Sequence, residues 1–245
     1  MTTHLSVNLN KIALVRNARG RNFPAITEFG EIALMGGAIG LTIHPRPDQR
    51  HATYHDIADL KSLVAAFPGK ELNVEGYPDD TLIQHVLDQR PDQFTLVPDD
   101  PNQITSDHGW DLNLHGQRLT PLIAQCQSAG IRTSLFVDPD LEQVRRAADT
   151  GTDRIELYTE AYAEAFNQQD YAPLLEQYMQ CADLARSLGM TVNAGHDLDL
   201  DNLAPFVARG NIAEVSIGHA LTVEALHLGF AETIKRYISI LQRGR

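Results

Sequence analysis

Short apolar runs recur along this chain. Each is entered from a glycine that closes a helix-like segment, and each is left through a polar residue. The clearest read IGLTIH, RTSLFVD, RIE, TVNAGH and VSIGH, ending at His44, Asp138, Glu156, His196 and His219. Glycine just past a helix end accepts the left-handed backbone that turns the chain back. β-rich runs alternating with helical periodicity build parallel sheet from strand–helix–strand units. The pattern predicts eight strands, at 4–8, 40–44, 71–75, 93–97, 132–138, 153–157, 190–194 and 213–217. Helical spacing of apolar residues follows most of them, at 26–35, 57–67, 119–129, 141–148, 171–188 and 223–241. A shorter helical pattern runs through Leu82, Val86 and Leu87. Segments 99–116 and 159–170 read as long loops on the strand-end side, suited to act as lids or ligand loops. Over 245 residues this alternation predicts a (β/α)8 TIM barrel with additional helices, as one domain spanning 1–245. All strands of such a barrel point the same way, so the residues at their ends meet on one face, where the chemistry of this fold sits.

Composition narrows the picture. A hydrophobic content of 43% and a charged content of 21% are ordinary for a globular protein. Two cysteines, Cys126 and Cys181, lie in helical patterns with no metal or redox spacing between them, which favours a reduced, intracellular setting. The opening MTTHLSVNLNK has no apolar core of a signal peptide, and no apolar stretch is long enough to span a membrane. A net charge of −12 argues against nucleic acid as a partner. The charge is uneven, because residues 1–50 hold six Lys/Arg against three acids. A basic cluster on an acidic chain suits a small anionic ligand such as a phosphate ester, although surface scatter would look the same.

The strand ends carry the candidate chemistry. His44, Glu75 and His196 end the second, third and seventh strands, and two imidazoles with a carboxylate can move protons both ways near neutral pH. The same trio could ligate a metal. The first strand, however, offers Asn8-Leu9-Asn10 where a His-x-His pair would stand, and no His-Glu-x-x-His helix occurs, so no metal is expected. Arg46, Arg50 and His51 follow in HPRPDQRH, a turn stiffened by Pro45 and Pro47, and Arg16 and Arg19 follow the first strand in RNARGR. Gly218-His219 precedes a helix, a place where backbone N–H groups receive anions. Thr105 offers a hydroxyl from the fourth loop, and Glu156 ends the sixth strand, either to steady positive charge or as a buried acid paired with an arginine. Ser6, Asn8 and Asn193 are candidate wall residues. On the residues alone three readings stand: a condensing enzyme with two anion sites, a sugar-phosphate isomerase or epimerase, and a non-catalytic phosphate-ester binder.

Several stretches bring one family into view: VNLNKIALVRNARG, GLTIHPRPDQRH, LNVEGYP, TLVPDDPNQITSDHGWD, SLFVDPD, RIELYTEAYA, VNAGHDL and SIGHAL. In this order and spacing the chain resembles the pyridoxine 5′-phosphate synthase family of vitamin B6 biosynthesis. The resemblance implies a cytoplasmic homo-octamer that needs no cofactor. It implies condensation of 3-amino-2-oxopropyl phosphate with 1-deoxy-D-xylulose 5-phosphate, releasing phosphate and water. It casts His44, Glu75 and His196 as proton-transfer residues and Glu156 as a transition-state stabiliser. Asn8, Arg19, Asp197 and Gly218-His219 would hold the aminoketone phosphate. Arg46, His51 and Thr105 would hold the deoxyxylulose phosphate or the phosphate released from it. Asn10-Lys11 stands where many members have Asp-His, and Lys11 keeps a cation there for an anion. Many members also have Gly where this chain has Asp197, and His and Gly where it has Tyr158 and Glu160. None of these departures touches the central trio.

Overall fold

The computed structural model describes residues 2–99, 103, 105–209 and 211–243. Its chain begins with β1 (His4–Asn8), α1 (Asn10–Asn17), α2 (Ile26–Met35) and β2 (Gly40–Ile43). Next come α3 (Tyr54–Ala65), β3 (Glu71–Gly76), α4 (Asp80–Gln89), β4 (Gln93–Leu96), α5 (Leu112–Ser128) and β5 (Arg132–Val137). The chain continues through α6 (Leu141–Asp149), β6 (Arg154–Tyr158), α7 (Glu160–Asn167), α8 (Ala172–Ser187) and β7 (Thr191–Gly195). It ends with α9 (Leu203–Val207), β8 (Glu214–Ile217), α10 (His219–Leu228) and α11 (Phe230–Arg243). The strands pair in parallel in sequence order, and β1 closes on β8. The expected (β/α)8 barrel is therefore the fold, with α1, α7 and α10 among the additional helices.

The two faces of each strand differ in kind. Residues of one parity are apolar and fully buried, as in Leu5 and Val7, Leu41 and Ile43, Leu72 and Val74, or Ile155 and Leu157. They pack outward against the helices. A Cβ added at Gly30 in α2 would lie 2.9 Å from both Leu41 Cδ1 and Leu63 Cδ2, so this glycine lets α2 settle directly onto β2 and α3. The other parity faces the barrel axis and is largely polar, Phe136 of β5 apart. Ser6 Oγ and Thr42 Oγ1 share a hydrogen bond of 2.7 Å, Thr95 Oγ1 donates to Asn73 Oδ1 at 2.9 Å, and Asn73 Nδ2 donates to Glu75 Oε1 at 3.2 Å. Towards the floor, Arg132 donates to Gln93 Oε1 at 2.9 Å and pairs with Glu71, while Arg154 reaches Asn193 at 3.2 Å and Glu214 at 3.4 Å. The apolar core is thus a sleeve between sheet and helices, wrapped around a hydrogen-bonded polar axis.

Local chemistry accounts for the element ends. Asp79 and Asp140 cap α4 and α6 by accepting two backbone N–H groups each, and Asp111 accepts one at the start of α5. Thr53 and Asp56 form a capping box on α3. Gly37, Gly130, Gly151 and Gly189 take the positive φ expected of exit glycines, whereas Gly210, before β8, lies outside the described residues.

Three expectations need correction. The segment 159–170 is largely helix, because α7 starts directly after Thr159. The loop after β4 ends sooner than 116, since the Asp111 cap starts α5 at Leu112. The pattern over 223–241 is two helices, broken at Gly229, whose φ of +83° stops α10. Among the described residues no helix is long and apolar enough to cross a membrane.

The two faces should respond differently to truncation. Leu41→Ala, in the apolar sleeve, should cost about 2–5 kcal/mol. Thr42→Val, one residue on, removes only hydrogen bonds to Ser6 and Asn73 and should cost about 1–3 kcal/mol. Urea unfolding of both variants measures the order, and a larger loss for Thr42→Val would contradict this layering.

Candidate active site

The polar axis opens at the carboxyl ends of the strands into a cavity of about 340 Å³. Its walls include Asn8 of β1, Glu75 of β3, Glu156 and Tyr158 of β6, and Ser216 and Ile217 of β8. His44 and His196 line it from the first position beyond β2 and β7, and Asn10, Lys11, Gly218 and His219 from the loops and helix starts beside β1 and β8. Arg46 and His51 from the β2 loop, with Thr105 and Ser106 from the β4 loop, line it as well. Period-two geometry explains the selection: the last inward-facing residue of each strand stands at the mouth.

Burial decides the charge states. Glu75 is buried beside Glu156 and Glu214, and desolvation followed by those like charges holds its carboxyl well above the usual range, with Ser216 bonding in the opposite direction. Glu156 is pushed up to about 8, first by desolvation and then by Glu214. Its Oε2 is buried with no hydrogen-bond partner among the described residues, a setting in which a carboxyl keeps its proton. The alternative of an arginine partner for Glu156 is not met among the described residues, because Arg154 turns to Glu214 and Asn193. The imidazoles move the other way. His196 is walled by Phe136 and Tyr158, with ring centroids at 5.4 and 5.2 Å, and desolvation with the charges of Arg46 and Lys11 lowers it to about 4. His44 is held well below the imidazole range by burial and by Arg46, His51 and His196. His51, lowered to about 4 by burial and its cationic neighbours, accepts the Ala52 backbone N–H on Nδ1 at 2.9 Å, which leaves Nε2 as its donor.

The backbone around these groups is tightly specified. His196 and Asp197 both have positive φ, +81° and +55°, in a region that ordinary residues enter at a cost. Thr159 Oγ1 holds this turn through the Gly195 and His196 carbonyls at 2.6 and 2.5 Å, and Asn202 Nδ2 holds the Asp197 carbonyl at 2.9 Å. Gly195 itself has no room for a side chain, since a Cβ would sit 2.6 Å from Glu156 Oε1. Asn10 accepts the His44 backbone N–H at 2.9 Å and donates its own N–H to Asn8 Oδ1 at 3.0 Å, so it ties β1 to β2.

The cavity gathers every residue given a catalytic or binding role except Arg19, which is exposed and outside it. The expected wall residues Ser6 and Asn193 do not line it but bond to Thr42 and Arg154 inside the barrel. Arg16 lies in α1, not in a loop, and is committed to Asp56 at 2.6 Å. Arg50 is bonded to Asp48 at 2.7 Å. Asp138 accepts the Gly109 N–H and takes no part. Four polar lining residues were not among the candidates: Ser106, Tyr158, Glu160 and Ser216. The alternation of polar residues along the strands could have marked Tyr158 and Ser216, which follow Glu156 and Glu214 at a spacing of two. Glu160 accepts a hydrogen bond from the Tyr158 hydroxyl, and nothing in the residue pattern marks it. Among the described residues no group of three or more His, Cys, Asp or Glu is arranged to hold a metal ion.

Comparison with known proteins places this site in context. The family model described as Pyridoxal phosphate biosynthesis protein PdxJ matches residues 5–243. A pyridoxine 5′-phosphate synthase of Agrobacterium fabrum is 49% identical over 242 residues, covering 97% of this chain and 96% of that one. A pyridoxine 5′-phosphate synthase of Albidiferax ferrireducens is 47% identical over 251 residues, covering both chains fully. Among solved structures, a 3-keto-L-gulonate-6-phosphate decarboxylase of Vibrio cholerae superposes with a TM-score of 0.68 at 11% identity, each chain covered fully. At that identity the likeness extends to the barrel alone.

The charge states are directly measurable. NMR titration should find His196 and His51 changing charge near pH 4, while an ordinary imidazole does so near 6.5. Unfolding frees them to bind protons from about pH 6.5 downward, so the folded state binds fewer in that window and stability should fall as pH drops from 6.5 towards 4. Titration of His196 at 6 or above would overturn the assignment.

Proposed function

The chain belongs to the PdxJ family of pyridoxal phosphate biosynthesis proteins, and on that basis we propose that it works as a pyridoxine 5′-phosphate synthase. Its substrates are two phosphorylated ketones, 3-amino-2-oxopropyl phosphate and 1-deoxy-D-xylulose 5-phosphate. It joins them, closes the pyridine ring, and releases phosphate and water. The observation that carries the reading is the convergence of His44, Glu75 and His196 on one cavity that two anion-binding groups also line. One group is Arg46, His51 and the hydroxyls of Thr105 and Ser106, with Lys11 close enough to act on His51. The other is Gly218-His219, at the N-terminus of α10. Two berths suit two phosphate esters, whereas an isomerase of one ester needs only one.

Amine attack on a ketone, loss of water, loss of phosphate and ring closure each need a proton delivered or removed. In this cavity the carboxyls hold protons and the imidazoles lack them, so acids and bases coexist at neutral pH without ionising one another. Glu75, at the centre, serves as principal acid–base group for condensation. Neutral His44 and His196 take protons on either side of it during dehydration and closure. Glu156 presents its proton to oxygen that gains negative charge. Lys11 replaces part of the basic contact of the β1 loop, while Asp197 and Glu160 make the α10 side less positive.

Glu75→Gln should lower turnover by about a thousandfold or more, with substrate affinities within a few-fold, followed by product ring absorbance and by calorimetry. In the native enzyme kcat/KM should fall as pH drops through about 4, where His196 takes up a proton, and again as pH rises through about 8, where Glu156 loses one. Activity that survives Glu75→Gln would remove the central assignment.

The chain is also proposed to assemble as a homo-octamer in the cytoplasm. Exposed apolar side chains support self-association: Leu14 and Val15 on α1, Phe23 in the following loop, and Val223 and Leu226 on α10. Light scattering should return the mass of eight chains, and replacement of Leu226 and Phe23 by Asp should lower it. A monomer in both proteins would refute the assembly.

A further inference from the structure

Asp99 lies just beyond β4, 4% exposed, at the seam between the catalytic cavity and a second cavity of about 510 Å³. His44 and Arg46 line both cavities, and Asp99 touches both residues. Its Oδ2 accepts a hydrogen bond from Arg46 Nη2 and another from Ser106 Oγ at 3.0 Å, and it lies 3.6 Å from His44 Nε2. The other oxygen, Oδ1, is buried with no hydrogen-bond partner among the described residues. A buried carboxylate with an acceptor oxygen to spare, beside the imidazole of a proton-transfer residue, is the arrangement that orients histidine bases elsewhere.

We propose that Asp99 is a positioning residue of the acid–base centre. Its carboxylate holds the Arg46 guanidinium and accepts the Nε2 proton of His44, so that Nδ1 is the nitrogen that exchanges a proton with the substrate. The inference rests on the proton-transfer role given to His44 above. The Nε2 edge of the ring is turned to Asp99 and to Gly76, where an added Cβ would lie 3.7 Å from Nε2. At 3.6 Å the Asp99 contact is longer than a hydrogen bond, and contacts of this kind tighten when substrate closes the site. A proton taken by Nδ1 makes an imidazolium, and among the described residues Asp99 is the one acid with a carboxylate oxygen within 4 Å of a His44 ring nitrogen. The groups around the ring are Arg46 and His51 from its own loop, His196 from β7, Asp99 from the β4 loop, and Glu75 in the same cavity. Against three cationic or protonatable neighbours, loss of the Asp99 charge makes the imidazolium harder to form. The same carboxylate joins the β2 and β4 loops, since Arg46 Nη1 also donates to the Gln103 carbonyl at 2.8 Å.

The test compares Asp99→Asn, Asp99→Glu and His44→Asn as folded proteins with both substrates. Asp99→Asn should lower kcat about 10–100-fold with a smaller change in KM, and should move the pH at which His44 takes up a proton, read by NMR, to lower values. Asp99→Glu should recover part of both. A purely structural role would lower stability without moving that titration. Wild-type kcat and an unmoved His44 titration in Asp99→Asn, with His44→Asn inactive, would overturn this proposal alone. Full activity in His44→Asn would instead remove the role on which it rests. Should Asp99→Asn fail to fold, ¹⁵N shifts of histidine in the native protein decide: a neutral His44 protonated on Nε2 supports the proposal, and one protonated on Nδ1 refutes it.

Discussion

Ionisable groups placed where water cannot hydrate their charges govern this protein. Glu75, Glu156 and His44 stand inside a closed barrel, each 6% exposed or less, and His196 is half-buried at the cavity mouth. Desolvation favours the neutral form of acids and bases alike, so carboxyls rise and imidazoles fall until their usual order is reversed. In water a carboxyl would protonate an imidazole. Here the pair rests uncharged, with the proton on oxygen and the lone pair on nitrogen. That is the state the proposed proton transfers between two ketones need.

The rest of the fold keeps those groups buried without leaving their neighbours unsatisfied. The hydrophobic sleeve outside the sheet supplies burial energy, which leaves the axis free to be polar. Below the cavity, the Arg132–Glu71 and Arg154–Glu214 contacts balance charge at the floor, and Glu214 in turn raises the two carboxyls above it. At the rim, Thr159 and Asn202 hold the strained turn that aims His196, and Asn10 fixes the backbone of His44. Precision at the site comes from these supporting bonds as much as from the residues that meet the substrate.

The cavity is electrically lopsided. Arg46 and Lys11 bring positive charge, while Asp197 and Glu160 add acids beside His219. Asp197 is itself shifted upward by burial and by Glu160, which softens the conflict with an incoming anion. Its left-handed φ, in a position where glycine would be unstrained, indicates that a side chain is kept there at conformational cost.

Much of the architecture was determined by the chain's local pattern. Exit glycines, apolar strands and helical periodicity act over a few residues, so eight strands and their order were legible, as were His44, Glu75, Glu156 and His196 at strand ends. What escaped depends on partners far apart in sequence. Arg16 and Arg19 look alike in RNARGR, yet Asp56, forty positions on, takes Arg16, and Arg19 is left in solvent. Asp99 reads as one acid among several in a loop, and only folding brings it against Arg46 and His44. The break at Gly229 was hidden because apolar spacing continues across it, and the helix after Thr159 because it is only eight residues long, with Tyr162, Ala163 and Phe166 as its whole apolar face. Residue type and spacing determine which face each side chain takes. Burial and long-range contact, which exist only in the closed barrel, decide which of those side chains carries a proton.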